Sequence, residues 1–220
     1  WGIPVPKEGF RNKVFYVWFD APIGYISITS NHTEHWEQWW KNPEEVDLFQ
    51  FIGKDNIPFH TVIFPSSLLG SDENWTLLHH MSSTEYLNYE SGKFSKSKGV
   101  GVFGTDARDT GIPADVWRFY IYYTRPEKAD ALFTWDDFQG KVNTELIGNL
   151  SNLVNRTMTF IDRFYNGEIP DAPSNDRFWE TVRSYETAIT DHLEVAELRE
   201  AFRKIFALSS FGNKCFQDGE

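Results

Sequence analysis

The sequence predicts an α/β protein in which an open parallel sheet is followed by an α-helical bundle. Short runs of β-branched and aromatic residues that end in glycine or proline turns fill the first part of the chain. From Trp135 onward apolar residues recur at threes and fours instead. Between the two, the order strand, glycine turn, helix around Gly53 is that of an open sheet whose ligands lie beyond the carboxyl ends of its strands. The first predicted strand covers residues 14–19 and stops at Asp20-Ala21-Pro22. A second covers 47–52; Gly53 and Asp55-Asn56 turn the chain, Pro58 suits a first helical turn, and a helix runs through His60 to Leu69. Residues 85–89 read as a short strand and Glu90-Ser91-Gly92 as a turn. A helix entered through Pro113 is closed before Pro126. Phe138, Val142, Leu146, Leu150, Leu153, Val154, Met158, Ile161 and Phe164 mark a long amphipathic helix to about Tyr165, ended by Asn166-Gly167. After a linker at 170–173, two helices are expected at 177–192 and 195–211. The pattern divides the chain into 1–85, 86–134 and 135–220, with the boundary of domains near residue 135.

Composition narrows the class. With 220 residues the chain has material for a sizeable core, and its 17% aromatic content suits cores or pockets. Cys215 is the single cysteine, which excludes an internal disulfide framework, fits a reducing compartment and argues against a structural zinc site. His32 and His35, and the adjacent His79 and His80, lack cysteine or acidic companions at ligand spacing and read as surface or packed histidines, so no bound metal is expected. No apolar run suggests a membrane span, and Trp1 opens neither a basic nor an apolar leader, which points to a soluble, cytoplasmic protein. A net charge of −11 argues against general attraction to nucleic acid, so any RNA contact is local.

Against that acidic background, Lys93-Phe94-Ser95-Lys96-Ser97-Lys98-Gly99 gathers three ammonium groups, two hydroxyls and a glycine. By residue type the cluster suits phosphate; by charge alone a solvated lysine loop serves as well. No G-x-x-x-x-G-K-[ST] sequence occurs, so the familiar phosphate loop is not its context.

Lys93 to Ser97 resembles the second signature of the class I aminoacyl-tRNA synthetases, usually Lys-Met-Ser-Lys-Ser. Upstream, Val17-Trp18-Phe19-Asp20-Ala21-Pro22-Ile23-Gly24-Tyr25 and Phe51-Ile52-Gly53-Lys54-Asp55-Asn56-Ile57-Pro58-Phe59-His60 resemble the methionyl-tRNA synthetase family, and the three segments come in family order. Phe94 at the second signature position makes the likeness look closest to the cytosolic eukaryotic form. The resemblance implies the second half of a Rossmann-like doubly wound sheet over 1–85, a connecting segment with the signature hairpin over 86–134, and a helical anticodon-binding domain, incomplete, over 135–220. It implies methionine, ATP and tRNA(Met) as substrates, Mg2+ accompanying ATP, no zinc site in this chain, and membership of a multi-synthetase complex as a further association. By the same resemblance Lys93 and Lys96 are the catalytic cations. Gly53, Asp55, Leu87, Ser95 and Ser97 join them in holding ATP, Leu87 through its backbone. Trp18, Ala21, Pro22, Tyr25, Asn56, His60 and Phe64 form the methionine pocket, with Tyr25 and His60 as polar tips for a thioether, and Asn152 and Arg156 read the anticodon.

Each residue also has a plainer reading. Gly53 serves a turn and Asp55 a helix cap; Trp18 and Phe64 pack a core, and His60 is a satisfied core histidine; Asn152 and Arg156 are an exposed polar pair on a helix face. The family's first signature, His-Ile-Gly-His, its zinc-bearing insertion and its anticodon-stacking tryptophan do not occur in the sequence, which reads as a fragment. The Trp18-to-Tyr25 segment discriminates against the leucine and isoleucine enzymes. A non-catalytic RNA-binding or scaffold module built from synthetase parts is the alternative of a different class.

Overall fold

The computed structural model describes residues 2–90, 92–171 and 173–219. The chain forms two compact units, 1–84 and 85–220.

In the first unit, β1 (Leu48–Gly53) and β2 (Leu78–Thr84) pair in parallel, with Gln50 opposite Met81 and Ile52 opposite Ser83. Parallel strands need a crossover. It consists of a 3-10 turn (Lys54–Asn56), a π-helical stretch (Phe59–Ile63) and a short α-helix, Phe64–Leu69. Ahead of β1 lie α1 (Val17–Asp20), α2 (Ile23–His32) and α3 (Glu37–Trp40); the crossover helix is α4. Ile26, Trp40, Phe64 and Leu68 make the core, with Trp36, Leu48, Trp75 and Leu77 packed on it. The Trp40 indole N–H donates to Thr29 Oγ1 at 2.9 Å, which ties α3 to α2 while the ring stays in the core.

The strand expected at residues 14–19 is not formed. Val14 makes an isolated antiparallel bridge to Pro4, and the chain then turns into α1. Phe15 N–H still reaches the Ile3 carbonyl at 2.9 Å beside that bridge, but beyond it the donors find local acceptors, Phe19 N–H on Tyr16 and Ala21 N–H on Val17, and no ladder forms among the described residues. Tyr16, Val17 and Phe19 stay exposed, so the apolar run has no sheet to fill. β2 lay outside the sequence expectation because its residues, among them His79, His80, Ser82 and Ser83, carry no apolar alternation.

The second unit holds a sheet of order β4-β3-β5, where β3 is Leu87–Tyr89, β4 is Gly92–Lys93 and β5 is Ala131–Phe133. β3 runs antiparallel to β4 and parallel to β5. Ser91 of the expected turn and Ala172 of the expected linker lie outside the described residues. The helices are α5 (Gly104–Asp109), α6 (Ala114–Tyr123), α7 (Trp135–Lys141), a π-helical stretch (Val142–Ser151), α8 (Asn152–Tyr165), α9 (Asp176–Glu194) and α10 (Leu198–Asp218). The periodic run from 135 to 165 is thus one continuous helical path. Thr134 caps its start by accepting from Asp137 N–H, and Asn166 at φ 52° ends it in the left-handed region. Phe119, Tyr120, Phe133, Phe138 and Phe206 form one aromatic core drawn from α6, β5, α7 and α10. At its edge the buried Tyr120 hydroxyl donates to Asp137 at 2.7 Å, and Lys141 reaches the same carboxylate.

Candidate functional site

In the first unit, α1, α2, the π-helical stretch and α4 bring Trp18, Tyr25, His60 and Phe64, four of the predicted pocket residues, together. The Tyr25 hydroxyl lies 2.7 Å from His60 Nε2, and the Trp18 ring stands edge-on to His60 at 5.6 Å. Phe64 lies 6.0 Å from the Tyr25 ring but is itself a core residue, packed with Ile26, Trp40 and Leu68. Asn56 takes part through its backbone carbonyl, which is 2.8 Å from His60 Nδ1. A carbonyl only accepts, so Nδ1 carries the hydrogen, and in that tautomer Nε2 accepts the hydrogen bond of the Tyr25 hydroxyl. His60 is 1% exposed, and both its nitrogens are used. A thioether sulfur could gain the Tyr25 donor only by drawing that proton away from His60. Ala21 donates its N–H to Val17 and accepts from Gly24 N–H at 3.0 Å, and Pro22 is buried at the start of α2. Pro22 and Phe64 line an apolar recess of about 330 Å³ that the other predicted pocket residues do not line. Sequence reasoning missed Phe59, which stacks on Trp18 at 4.7 Å and 9°; its only signal was its place beside His60.

Gly53 is the last residue of β1, and Asp55 follows it in the 3-10 turn. Gly53 has φ −77°, which any residue adopts, and a Cβ there would meet nothing within 4 Å. The turn therefore does not require glycine, which leaves close backbone approach of a ligand as a reason for it. Gly53 and Pro58, which precede the 3-10 turn and the π-helical stretch, supply no side-chain cap to them.

In the second unit the lysine loop is closed on itself. Ser95 and Val100 exchange both backbone hydrogen bonds, at 2.8 and 3.0 Å, around a 3-10 turn of Lys96–Lys98 that ends at Gly99 with φ 64°. Phe94 anchors the loop between Tyr89 and Phe103, and its ring fills the place a Cβ on Gly101 would need. Lys93 rides over the Tyr86 ring at 5.3 Å, while Lys96 and Lys98 point to solvent. Among the described residues none of the three lysines has a carboxylate partner. Ser95 and Ser97 hydroxyls are 3.4 Å apart at the loop's start, and Leu87 lies in β3, whose backbone pairs with β5. Among the described residues no group of three or more His, Cys, Asp or Glu could hold a metal ion.

Asn152 and Arg156 lie one turn apart on α8, both partly buried. They are already engaged: the Asn152 amide donates to Asn213 of α10 at 3.1 Å, and the Arg156 guanidinium sits 4.6 Å from the centre of Phe216. Neither Asn213 nor Phe216 was singled out from the sequence.

The family model described as tRNA synthetases class I (M) matches residues 1–158. A methionine–tRNA ligase of Treponema denticola is 63% identical over 235 aligned residues, covering 100% of this chain and 30% of the relative. A ligase of the same name from Borrelia garinii is 60% identical, again over 100% of this chain and 30% of its own length. The chain thus spans about 30% of the curated relatives it matches. Among solved structures, the Mycobacterium tuberculosis methionyl-tRNA synthetase bound by methionyl-adenylate aligns over 99% of this chain and 42% of its own, with TM-score 0.78 and 20% identity, a likeness of fold.

Proposed function

The chain belongs to the class I tRNA synthetases of the methionine type, and from that premise we propose that the protein carrying it activates methionine with ATP and transfers it to tRNA(Met). The observation that carries this reading is the lysine loop, three cations without carboxylate partners among the described residues, in an acidic chain and at the family's second signature. Attack of a carboxylate on the α-phosphorus of ATP builds charge on phosphate oxygens, and cations placed where that charge grows lower the barrier. In this proposal Lys93 and Lys96 meet the triphosphate, aided by Ser95 and Ser97. Gly53 and Asp55 receive the ribose, and the Leu87 backbone the adenine. Trp18, Ala21, Pro22, Tyr25, Asn56, His60 and Phe64 surround methionine, with Phe59 added behind Trp18.

Residues 1–85 are read as half of the catalytic fold, 86–134 as the loop-bearing connection, and 135–220 as part of an anticodon-binding domain. Mg2+ would enter with the triphosphate, since the described residues gather no ligand set for it. A cytoplasmic setting and association with other synthetases belong to the same proposal; among the described residues no helix is long and apolar enough to cross a membrane. The relatives compared above are bacterial, so the expected likeness to the cytosolic eukaryotic type gains no support from them. Phe94 is better explained by its packing on Tyr89, Phe103 and Gly101. Methionine-dependent exchange of pyrophosphate into ATP by the full-length protein tests the reading. Absence of exchange, with tRNA binding retained, would favour the non-catalytic module.

A further inference from the structure

The backbone strain of the lysine hairpin falls on a residue that the site described above leaves without a role. Glu90, which ends the run of β3, has φ 48°, in the left-handed region, while Gly92 lies in β4 and has no positive φ. Glycine or asparagine usually fills a left-handed position, because a Cβ there crowds the backbone. A glutamate keeps it only where its surroundings hold it. Here the Glu90 N–H donates to the Phe133 carbonyl at 2.8 Å, and the Glu90 carboxylate accepts the Trp135 N–H at 3.1 Å. Beside it the Tyr89 hydroxyl accepts the Trp135 indole N–H at 3.2 Å. The Tyr89 ring in turn stacks on Phe133 at 5.7 Å and meets Phe94 of the lysine loop at 5.3 Å. The far side of this clasp is firm: Trp135 opens α7 with its ring against Phe133, Phe138 and Trp117. On the hairpin side the hold is slight, since β4 is two exposed residues paired with β3 through Lys93 to Asn88 and Gly92 to Tyr89. The direction in which Lys93 leaves the sheet, and the place of the closed loop that follows, therefore depend on the turn at Glu90.

We propose that Glu90 is a positioning residue for adenylate formation: its carboxylate, seated on the first N–H of α7, holds the strained turn that aims Lys93 and Lys96 at the triphosphate. The proposal rests on the ligase reading above and adds to it a residue that acts through the lysines and touches no substrate. Cations lower the barrier only where the new charge grows, so the strand that carries them has to be aimed. Capping α7 does not by itself account for Glu90. Thr134 already serves that helix start by accepting from Asp137 N–H, and a cap needs no left-handed backbone in the residue that supplies it. The strain is spent on the course of the hairpin.

The test uses the full-length protein with Glu90→Gly and Glu90→Gln. Glycine accepts the left-handed turn but brings no carboxylate; glutamine keeps the reach and an acceptor oxygen. Glu90→Gly should lower kcat of methionine-dependent pyrophosphate exchange by about 10- to 100-fold, the upper value being that of a misplacement of about 1 Å. KM for methionine and the urea midpoint should change little, because the residue is exposed and relief of strain offsets the lost bond. Glu90→Gln should recover most of the rate. In a Lys96→Ala background the effect of Glu90→Gly should shrink, since both changes act on one group. Hydrogen exchange of the amides in 93–100 should be faster in Glu90→Gly and close to wild type in Glu90→Gln, a readout that requires no activity. Unchanged exchange of those amides in Glu90→Gly, an equal loss of rate in both variants, or an undiminished effect in the Lys96→Ala background overturns the proposal. Absence of pyrophosphate exchange in the unaltered protein overturns the ligase reading instead, and hydrogen exchange still decides whether Glu90 holds the hairpin.

Discussion

Replacing Tyr25 by Phe removes one oxygen from the best-defined polar contact of the first unit. That hydroxyl is 2.7 Å from His60 Nε2, and His60 is 1% exposed. The other nitrogen is held by the Asn56 carbonyl at 2.8 Å, so the ring cannot turn to find a new donor without giving up that bond. A buried acceptor left unpaired costs about 1–3 kcal/mol. Because Tyr25 is 39% exposed, water can reach the vacated place, which puts the expected loss in the lower part of that range, about 1–2 kcal/mol. With a urea dependence of about 2 kcal/mol per M, the middle of the usual range, the unfolding midpoint of the first unit should fall by about 0.5–1 M. Hydrogen exchange of the backbone amides in Phe59–Ile63 reports that unit by itself. In the full-length protein the same change should raise KM for methionine more than KM for ATP. An unchanged midpoint together with equal effects on the two KM values would refute both the hydrogen-bond assignment and the role in the pocket.

Lys96→Ala in the full-length protein should lower methionine-dependent pyrophosphate exchange by about 10²–10³ fold with little change in methionine affinity; an unaltered rate removes Lys96 from the catalytic set. Gly101→Ala should loosen the lysine loop, because its φ of 136° is strained for any other residue and the new methyl collides with the Phe94 ring; faster proteolysis within 93–101 is the readout, and protection equal to wild type would contradict the packing. Tyr120→Phe should destabilise the second unit by about 1.5–3 kcal/mol, the worth of a hydrogen bond to a charged group, as measured by urea unfolding. Burial works to raise the Asp137 carboxyl, but hydrogen bonds from Lys141 and Tyr120 outweigh it and hold the group below its usual value. A carboxyl lowered in the folded state contributes stability above its unfolded pKa of about 3.9, and that contribution is lost as pH falls through the folded value. Wild type should therefore lose more stability than Tyr120→Phe across that acid window, and parallel pH profiles would contradict the pairing.

How far the chain could be read from its sequence depended on whether a feature was local. The helical path from 135 to 165 was legible because its apolar period and its Asn166-Gly167 ending are both written within the segment. β1 was legible as an apolar run stopped by Gly53. β2 was not, since its place is set by pairing with β1 and its own residues carry no alternation. Residues 14–19 misled for the opposite reason: a short apolar run suits a strand or a helix, and only the absence of a neighbouring strand decides. The candidate residues were found by motif, but their partners were not. Phe59 on Trp18, Asn213 on Asn152 and Phe216 on Arg156 each meet across a separate element or turn, where one-dimensional spacing carries no signal.

The aromatic core of the second unit also sets an order of assembly. Phe133 stacks beside Tyr89, the residue that opens toward the lysine hairpin, and Phe119 meets Phe206 of α10. The hairpin is therefore braced by side chains that leave the ribosome long after it does. During synthesis β3 must wait for β5 to pair and for α10 to close the core, a set of distant contacts whose chain-closure entropy makes such steps slow. The loop that carries Lys96 is thus made before the strand that fixes it, and a chain halted before residue 131 would present its lysines on a hairpin that lacks β5.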